Sequence, residues 1–331
     1  MMQIAVLGAG SWGSALALAT SNVAQVQLWS HQPKQVAWMQ DYRNNPDYLP
    51  PEITFNKNIS FTGDLSQLSG ASLLIIATPI NAVRGILQQI KQFSLELPDV
   101  FLVSKGLEAH TAKLPHQIIE DEWPSFTRYG VLIGPSFAVE VARLQPTAVT
   151  LAAPQLDFAI GWMERLSDIP NFRIYAHDDV IGSEVGAAVK NVLAIAVGIS
   201  DGLFLGYNAR AALITRSLNE LAQLVLALGG KQETIYGLTG IGDLILTCTG
   251  DLSRNRRVGQ ELASGKRVID ITAALGHVAE GVSTACEIHR LALQLKIDMP
   301  IVACVYRIIY QNSDIKTEVL NLLNRAPKAE F

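Results

Sequence analysis

The chain has 331 residues, 49% hydrophobic and 17% charged, with a mean hydropathy of +0.23; this excludes intrinsic disorder and, at roughly 100 to 200 residues per domain, predicts two domains. The 26 Lys and Arg against 30 Asp and Glu give a net charge of -4 and a pI near 5.9, so no global field favours nucleic acid or anionic lipid, and an anionic ligand must be held locally. Three scattered cysteines, Cys248, Cys286 and Cys304, exclude a disulfide framework and a zinc quartet and fit a reducing cytoplasm.

Met1-Met2-Gln3 leads directly into an apolar run, without the basic region and cleavage site of a secretory signal. Short β-branched runs predict strands at Ile4–Leu7, Val26–Trp29, Leu73–Ala77, Phe101–Val103, Val131–Ile133, Ala148–Leu151 and Arg173–Tyr175. Helical spacing lies between them at Ser14–Thr20, Gln35–Gln40, Asn81–Gln92, Leu114–Glu122 and Leu156–Leu166. This alternation predicts an α/β fold with a Rossmann-like, doubly wound parallel sheet. After Asp178 the strand signals fade and helical segments follow at Val180–Ser200, Ala209–Leu228 and Thr284–Leu295, which predicts an all-helical second domain. The polar break His177-Asp178-Asp179 supplies a helix cap and divides the chain into residues 1–179 and 180–331. Val185 to Ser200 is the most apolar stretch, but it falls short of the roughly 18 to 20 residues of a spanning helix and carries Lys190. It reads as a buried helix, without stable membrane insertion. The tail from Asn324 to Phe331 reads as loosely tied.

Gly8-Ala9-Gly10-Ser11-Trp12-Gly13 has G-x-G-x-x-G spacing between the first strand and the first helix. Gly8 makes the tight turn, Gly10 lets the backbone approach a pyrophosphate, and Gly13 permits close helix-to-sheet packing, while the helix N-terminus offers N–H groups to the anion. A carboxylate roughly 20 residues further on normally bonds the ribose 2'-hydroxyl of NAD. Here the second strand ends Leu28-Trp29-Ser30-His31. Ser30, His31 and Lys34 instead suit a 2'-phosphate, so NADP(H) is the preferred cofactor and NAD(H) the alternative.

Between Glu184 and Asp201, Lys190 is the only ionisable residue. Burial disfavours its charged form and would poise it for proton transfer; a side chain snorkelling to solvent is the alternative. Asn191 stands beside it, able to orient a substrate or another side chain. Ser104-Lys105-Gly106 and Gly134-Pro135-Ser136 follow strands, where ligands of open α/β sheets bind. In the helical half, Asp243 follows Gly240-Ile241-Gly242, and Ser253-Arg254-Asn255-Arg256-Arg257 concentrates guanidiniums that form either a phosphate clamp or a surface turn.

Together these motifs, with Asn208-Ala209-Arg210 and Val278-Ala279-Glu280-Gly281-Val282, resemble bacterial-type NAD(P)-dependent glycerol-3-phosphate dehydrogenase nearly end to end. The resemblance implies a cytoplasmic enzyme that reduces dihydroxyacetone phosphate to sn-glycerol 3-phosphate, reversibly, for glycerophospholipid synthesis. It implies Lys190 as proton acceptor, and Lys105, Gly134, Ser136, Asp243, Ser253, Arg254 and Asn255 as substrate contacts. Cofactor contacts implied beside Gly8, Gly10 and Gly13 are Ser11, Trp12, His31, Lys105, Ala138, Arg254, Val278 and Glu280, with Tyr48 packing near the adenosine. No metal is implied, and a homodimer is compatible with the resemblance. Tyr207 stands where the family often has an acidic residue, and Ser104 where threonine is frequent. A related hydroxy-acid dehydrogenase and a non-catalytic dinucleotide sensor would share the glycine turn; a substrate panel separates the first from this reading, and turnover separates the second.

Overall fold

Residues 2–68, 70–93, 97–275 and 279–325 are described by a computed structural model of the chain. The first half builds an eight-stranded sheet from β1 (Gln3–Leu7), β2 (Gln25–Trp29), β3 (Ile59–Thr62), β4 (Leu73–Ile76), β5 (Asp99–Leu102), β6 (Tyr129–Ile133), β7 (Thr147–Ala152) and β8 (Phe172–His177). Helices α1 (Ser11–Thr20), α2 (Pro33–Tyr42), α3 (Ile80–Gln92), α4 (Pro115–Glu122), α5 (Ala138–Ala142) and α6 (Leu156–Arg165) lie between the strands in the sequence. The order is β3-β2-β1-β4-β5-β6-β7-β8. Continuous apolar strands such as Leu73-Leu74-Ile75-Ile76, buried at every position, belong in the middle of such a sheet, covered on both faces. The strand order turns back on itself at β1 and β4, which opens a crevice at their carboxyl ends.

Two sheet expectations are corrected. β3 was not foreseen; it is a four-residue edge strand after a turn-rich stretch, and it pairs in parallel with β2, Val26 opposite Ile59. Nor is the sheet wholly parallel. β1 to β6 share one direction, but β7 runs antiparallel to β6 and β8 follows β7. The link from β6 to β7 contains only the five-residue α5, about 7.5 Å of helix, too short to run back along a strand of roughly 17 Å.

The second half is helical throughout its described residues: α7 (Val180–Gly202), α8 (Tyr207–Ala227), α9 (Gln232–Ile235), a π-helical turn Leu238–Gly242, α10 (Asp243–Thr249), α11 (Arg254–Ala263), α12 (Val268–Leu275), α13 (Glu280–Leu295), α14 (Pro300–Tyr310) and α15 (Ile315–Leu323). The expected cap is present: Asp179 Oδ1 accepts from the Gly182 N–H at 2.8 Å. At 23 residues, α7 outruns the apolar stretch read from the sequence and is long enough to cross a membrane. Its most apolar window is 94% buried inside the protein, so it is a core helix.

The compact units are Met1–Lys105 with Lys113–Glu184, and Gly106–Ala112 with Val185–Phe331. They differ from the expected ranges 1–179 and 180–331. The segment 106–112 groups with the helices because α13 holds it by the backbone: the His110 N–H donates to Glu287 Oε1 at 3.1 Å, and its carbonyl accepts from Arg290 at 2.8 Å.

Glycines bring the helices of the second unit onto α7 at backbone distance. A Cβ on Gly198 would lie 2.0 Å from the Arg256 carbonyl oxygen, one on Gly259 2.1 Å from that of Ile195, and one on Gly281 2.6 Å from that of Asn191. No side chain fits there, so α11 and α13 lock against α7 around Lys190. Gly259→Val should therefore destabilise the helical unit by about 3 kcal/mol or more. Urea unfolding followed by circular dichroism checks this, and an unchanged midpoint would contradict it.

Candidate active site

In the sheet unit, the glycine turn is built as its spacing predicts. Gly8 has φ +111, and a Cβ there would press against the Ala77 carbonyl at 2.8 Å. A Cβ on Gly13 would meet the Gly8 oxygen at 1.9 Å, so only glycine lets α1 start this close to β1. Gly10 is the N-cap of α1 and supplies no side chain, and the first turn contains no acidic residue. No side-chain cap from Gly10 and no carboxylate in the first turn thus close the N-terminus of α1, which suits an anion. At Gly10 the nearest obstacle to an added Cβ is the Tyr48 ring at 4.0 Å, which leaves room beside the turn. Ser11 donates to the Tyr48 carbonyl at 2.9 Å. The Trp12 indole N–H is buried and has no hydrogen-bond partner among the described residues, as does the hydroxyl of Thr78, which follows β4. An uncapped helix, an open glycine and an unsatisfied buried donor fit a dinucleotide pyrophosphate.

Other expected residues stand at the same carboxyl edge. His31 follows β2 and is exposed, as is Lys34, while Lys105 follows β5 and is half-buried. Ser104 beside it is buried and donates to the Thr78 carbonyl at 2.7 Å. Gly134, Ser136 and Ala138 follow β6; a Cβ on Gly134 would lie 2.8 Å from Cα of Val149, and Ser136 donates to the Gly134 carbonyl at 3.0 Å. Ser30 is a correction. It is buried, its hydroxyl donates to Gln35 Oε1 at 2.5 Å and accepts from the Gln32 N–H at 3.1 Å. That hydroxyl is committed inside the protein, which leaves His31 and Lys34 at the end of β2.

In the helical unit, Lys190 is 5% exposed, so it does not snorkel. Nor is it a bare buried charge: its ammonium donates to Asp243 Oδ1 at 2.5 Å and to Thr247 Oγ1 at 2.9 Å. Asp243 and Thr247 are themselves buried and sit on one face of α10, four residues apart. Cys248 is buried nearby, and burial pushes its thiol up to about 12, so it stays neutral. Around Asn191 a second network forms. Asn255 donates to Asn191 Oδ1 at 2.9 Å and accepts from the Gly281 N–H at 3.0 Å, and Asn191 reaches Glu280 Oε2 at 3.4 Å. Ser253 caps α11 by accepting from the Arg256 N–H at 3.2 Å, and Arg254 is exposed in its first turn. Arg256 pairs with Asp201 at 2.7 Å and with Asp251 at 3.0 Å; it is structural, and the basic run contributes fewer guanidiniums to a ligand than its composition implied. Val278 lies outside the described residues.

Sequence reasoning missed Thr247, Gln35 and Asn45. Their signal was too ordinary: a lone threonine and two amides in a polar stretch acquire meaning only from what the fold places beside them. Among the described residues no His, Cys, Asp and Glu cluster could hold a metal ion.

Sequence models of the NAD-dependent glycerol-3-phosphate dehydrogenase N-terminus and C-terminus match residues 3–159 and 179–320. The chain belongs to the NAD-dependent glycerol-3-phosphate dehydrogenase family. Two curated relatives are both called glycerol-3-phosphate dehydrogenase [NAD(P)+]. The one from Aromatoleum aromaticum is 48% identical over 99% of this chain and 100% of its own. The other, from Methylobacillus flagellatus, is 49% identical over 99% of each. The glycerol-3-phosphate dehydrogenase structure from Coxiella burnetii superposes with a TM-score of 0.93 at 41% identity, covering 98% of this chain and 99% of that one. A D-mandelate dehydrogenase shares the fold alone, at 14% identity and TM-score 0.62. The hydroxy-acid alternative thus loses its support. The reaction of the dehydrogenase family is NAD(P)-dependent interconversion of dihydroxyacetone phosphate and glycerol 3-phosphate.

The buried pair sets a stability order. Asp243→Ala removes the carboxylate beside a buried ammonium and should cost about 3 to 5 kcal/mol, whereas Thr247→Val removes one neutral hydroxyl and should cost about 1 to 2 kcal/mol. Denaturant unfolding of both variants measures the order, and equal losses would contradict it.

Proposed function

We propose that Lys190 is the general acid and base of this dehydrogenase, and that the enzyme acts in the cytoplasm to supply sn-glycerol 3-phosphate for glycerophospholipids. The observation that carries the proposal is the Lys190 ammonium, 2.5 Å from Asp243 and 2.9 Å from Thr247 on a buried helix. The bound nicotinamide supplies or takes the hydride at C2 of the substrate. In the reducing direction Lys190 gives a proton to the C2 oxygen as its negative charge develops, and in the oxidising direction it takes that proton back. Asp243 and Thr247 hold the ammonium in place, so that little reorganisation accompanies the transfer.

The first turn of α11 is the proposed phosphate site. Ser253 caps it, Arg254 brings the guanidinium, and Asn255, fixed by Asn191 and Gly281, keeps a second amide hydrogen for an oxygen. Lys105, Gly134 and Ser136 are the proposed substrate contacts of the sheet unit. The turn Gly8 to Gly13, with Ser11, Trp12 and Tyr48, would hold the pyrophosphate and adenosine. Ala138, Glu280 and Val278 remain proposed cofactor contacts.

Lys190→Met keeps an unbranched chain and removes the ammonium, so NADPH binding should persist while single-turnover hydride transfer falls at least about 10²-fold. Stopped-flow NADPH absorbance reads the rate, and a loss under about tenfold in the folded variant would assign the proton to another group. The end of β2 gives a second expectation. His31 and Lys34 stand there with no carboxylate, so NADPH should serve at least as well as NADH in kcat/KM. A clear NADH preference in initial-rate assays would refute that.

A further inference from the structure

The peptide between Ala9 and Gly10 lies at the middle of the glycine turn, and Gly10 offers little steric restraint on one side of it. A flip of that peptide would point the Ala9 carbonyl toward the anion and withdraw the Gly10 N–H. Two side-chain amides oppose the flip. Gln35 Nε2 and Asn45 Nδ2 each donate to the Ala9 carbonyl at 2.8 Å, which occupies both of its lone pairs. Asn45 also donates to Ser14 Oγ at 2.9 Å, Gln35 donates to Asn45 Oδ1 at 3.1 Å, and Ser30 Oγ donates to Gln35 Oε1 at 2.5 Å. Asn45 is 2% exposed, and its backbone carbonyl accepts from the Tyr48 and Leu49 N–H groups at 3.0 and 2.9 Å. That turn presents the Tyr48 carbonyl to Ser11 and the Tyr48 ring beside Gly10. The segment from Asn45 to Tyr48 thus bonds Ala9 and Ser11 in the glycine turn and Ser14 just after it.

We propose that Gln35 and Asn45 are positioning residues of the dinucleotide site, which hold the Ala9–Gly10 peptide in its anion-accepting orientation. The inference rests on reading the turn as the dinucleotide site. It extends that reading to two residues that act through the backbone, by way of the Ala9 carbonyl that both of them bond. All four N–H hydrogens of the two amides are used and each oxygen accepts a hydrogen bond, as expected of a buried network that selects one backbone state. The chain from Ser30 through Gln35 to Ala9 also joins the end of β2, where the ribose 2' position is read, to the pyrophosphate turn.

Two near-isosteric variants remove the contact. Gln35→Glu keeps the acceptor for Ser30 and removes the donors to Ala9 and Asn45; Asn45→Asp removes the donors to Ala9 and Ser14. Titration calorimetry of the full-length enzyme with NADPH, NADH and 2'-AMP separates pyrophosphate from ribose recognition, because 2'-AMP has no pyrophosphate. Kd for both dinucleotides should rise together by at least about fivefold, the effect of one or two lost hydrogen bonds, while 2'-AMP stays within about twofold. An unchanged NADPH Kd in a folded variant overturns the proposal, as does an equal loss for 2'-AMP, which would mark a general structural defect. Should Asn45→Asp fail to fold, Gln35→Glu, at a half-buried position, decides alone. Wild-type enzyme that bound neither dinucleotide would overturn the underlying reading of the turn, a result distinct from failure of the variants.

Discussion

A lysine ammonium inside a long apolar helix requires a counter-charge, and much of the helical unit is arranged to supply one. Desolvating an isolated ammonium costs several kcal/mol. Asp243 offsets that cost only because α10 begins directly after the π-helical turn Leu238–Gly242 and so brings its first residue against α7. Gly186, whose Cβ would lie 2.5 Å from the Thr239 oxygen, makes the approach close enough. Gly198, Gly259 and Gly281 do the same for α11 and α13. The small residues along α7 are therefore a condition of this packing: bulkier ones would stabilise a helix in isolation and push Asp243 and the first turn of α11 away from Lys190.

The two units solve the anion problem by different means. With a net charge of -4 the protein as a whole does not attract phosphates. The sheet unit offers backbone: a helix start without a side-chain cap, glycines that clear the approach, and two amides that donate to the Ala9 carbonyl. The helical unit offers a capped helix, α11, with Arg254 in its first turn and Asn255 locked behind it. Backbone N–H groups suit a ligand common to many dehydrogenases. A guanidinium beside a fixed amide suits the small phosphate that distinguishes this substrate.

The same inward commitment of polar groups recurs elsewhere. Ser30, Ser104 and Asn255 each look from the sequence like groups free to meet a ligand, yet each has its side chain engaged within the protein. Ser30 and Ser104 are turned to holding a neighbour, Gln35 for Ser30 and the backbone after β4 for Ser104, while Asn255 holds the start of α13 and keeps one amide hydrogen uncommitted to Asn191. His31 and Arg254, by contrast, are exposed.

The amino-acid sequence by itself determined the alternation of strand and helix, the glycine turn, the helical second half and the singular position of Lys190, because each is written in local periodicity or in residues of special backbone freedom. Its motifs also carried the family. The reversal of β7, the edge strand β3, the transfer of residues 106–112 to the helical unit, the counter-ion of Lys190 and the amide network under the glycine turn were decided only by tertiary structure. Each depends on partners far apart in the chain: Lys190 and Asp243 are separated by 53 positions, and Ala9 and Asn45 by 36. Side-chain chemistry is local, but whether a polar group meets a ligand, an ion or a neighbouring carbonyl depends on which distant segment the packing brings within 3 Å.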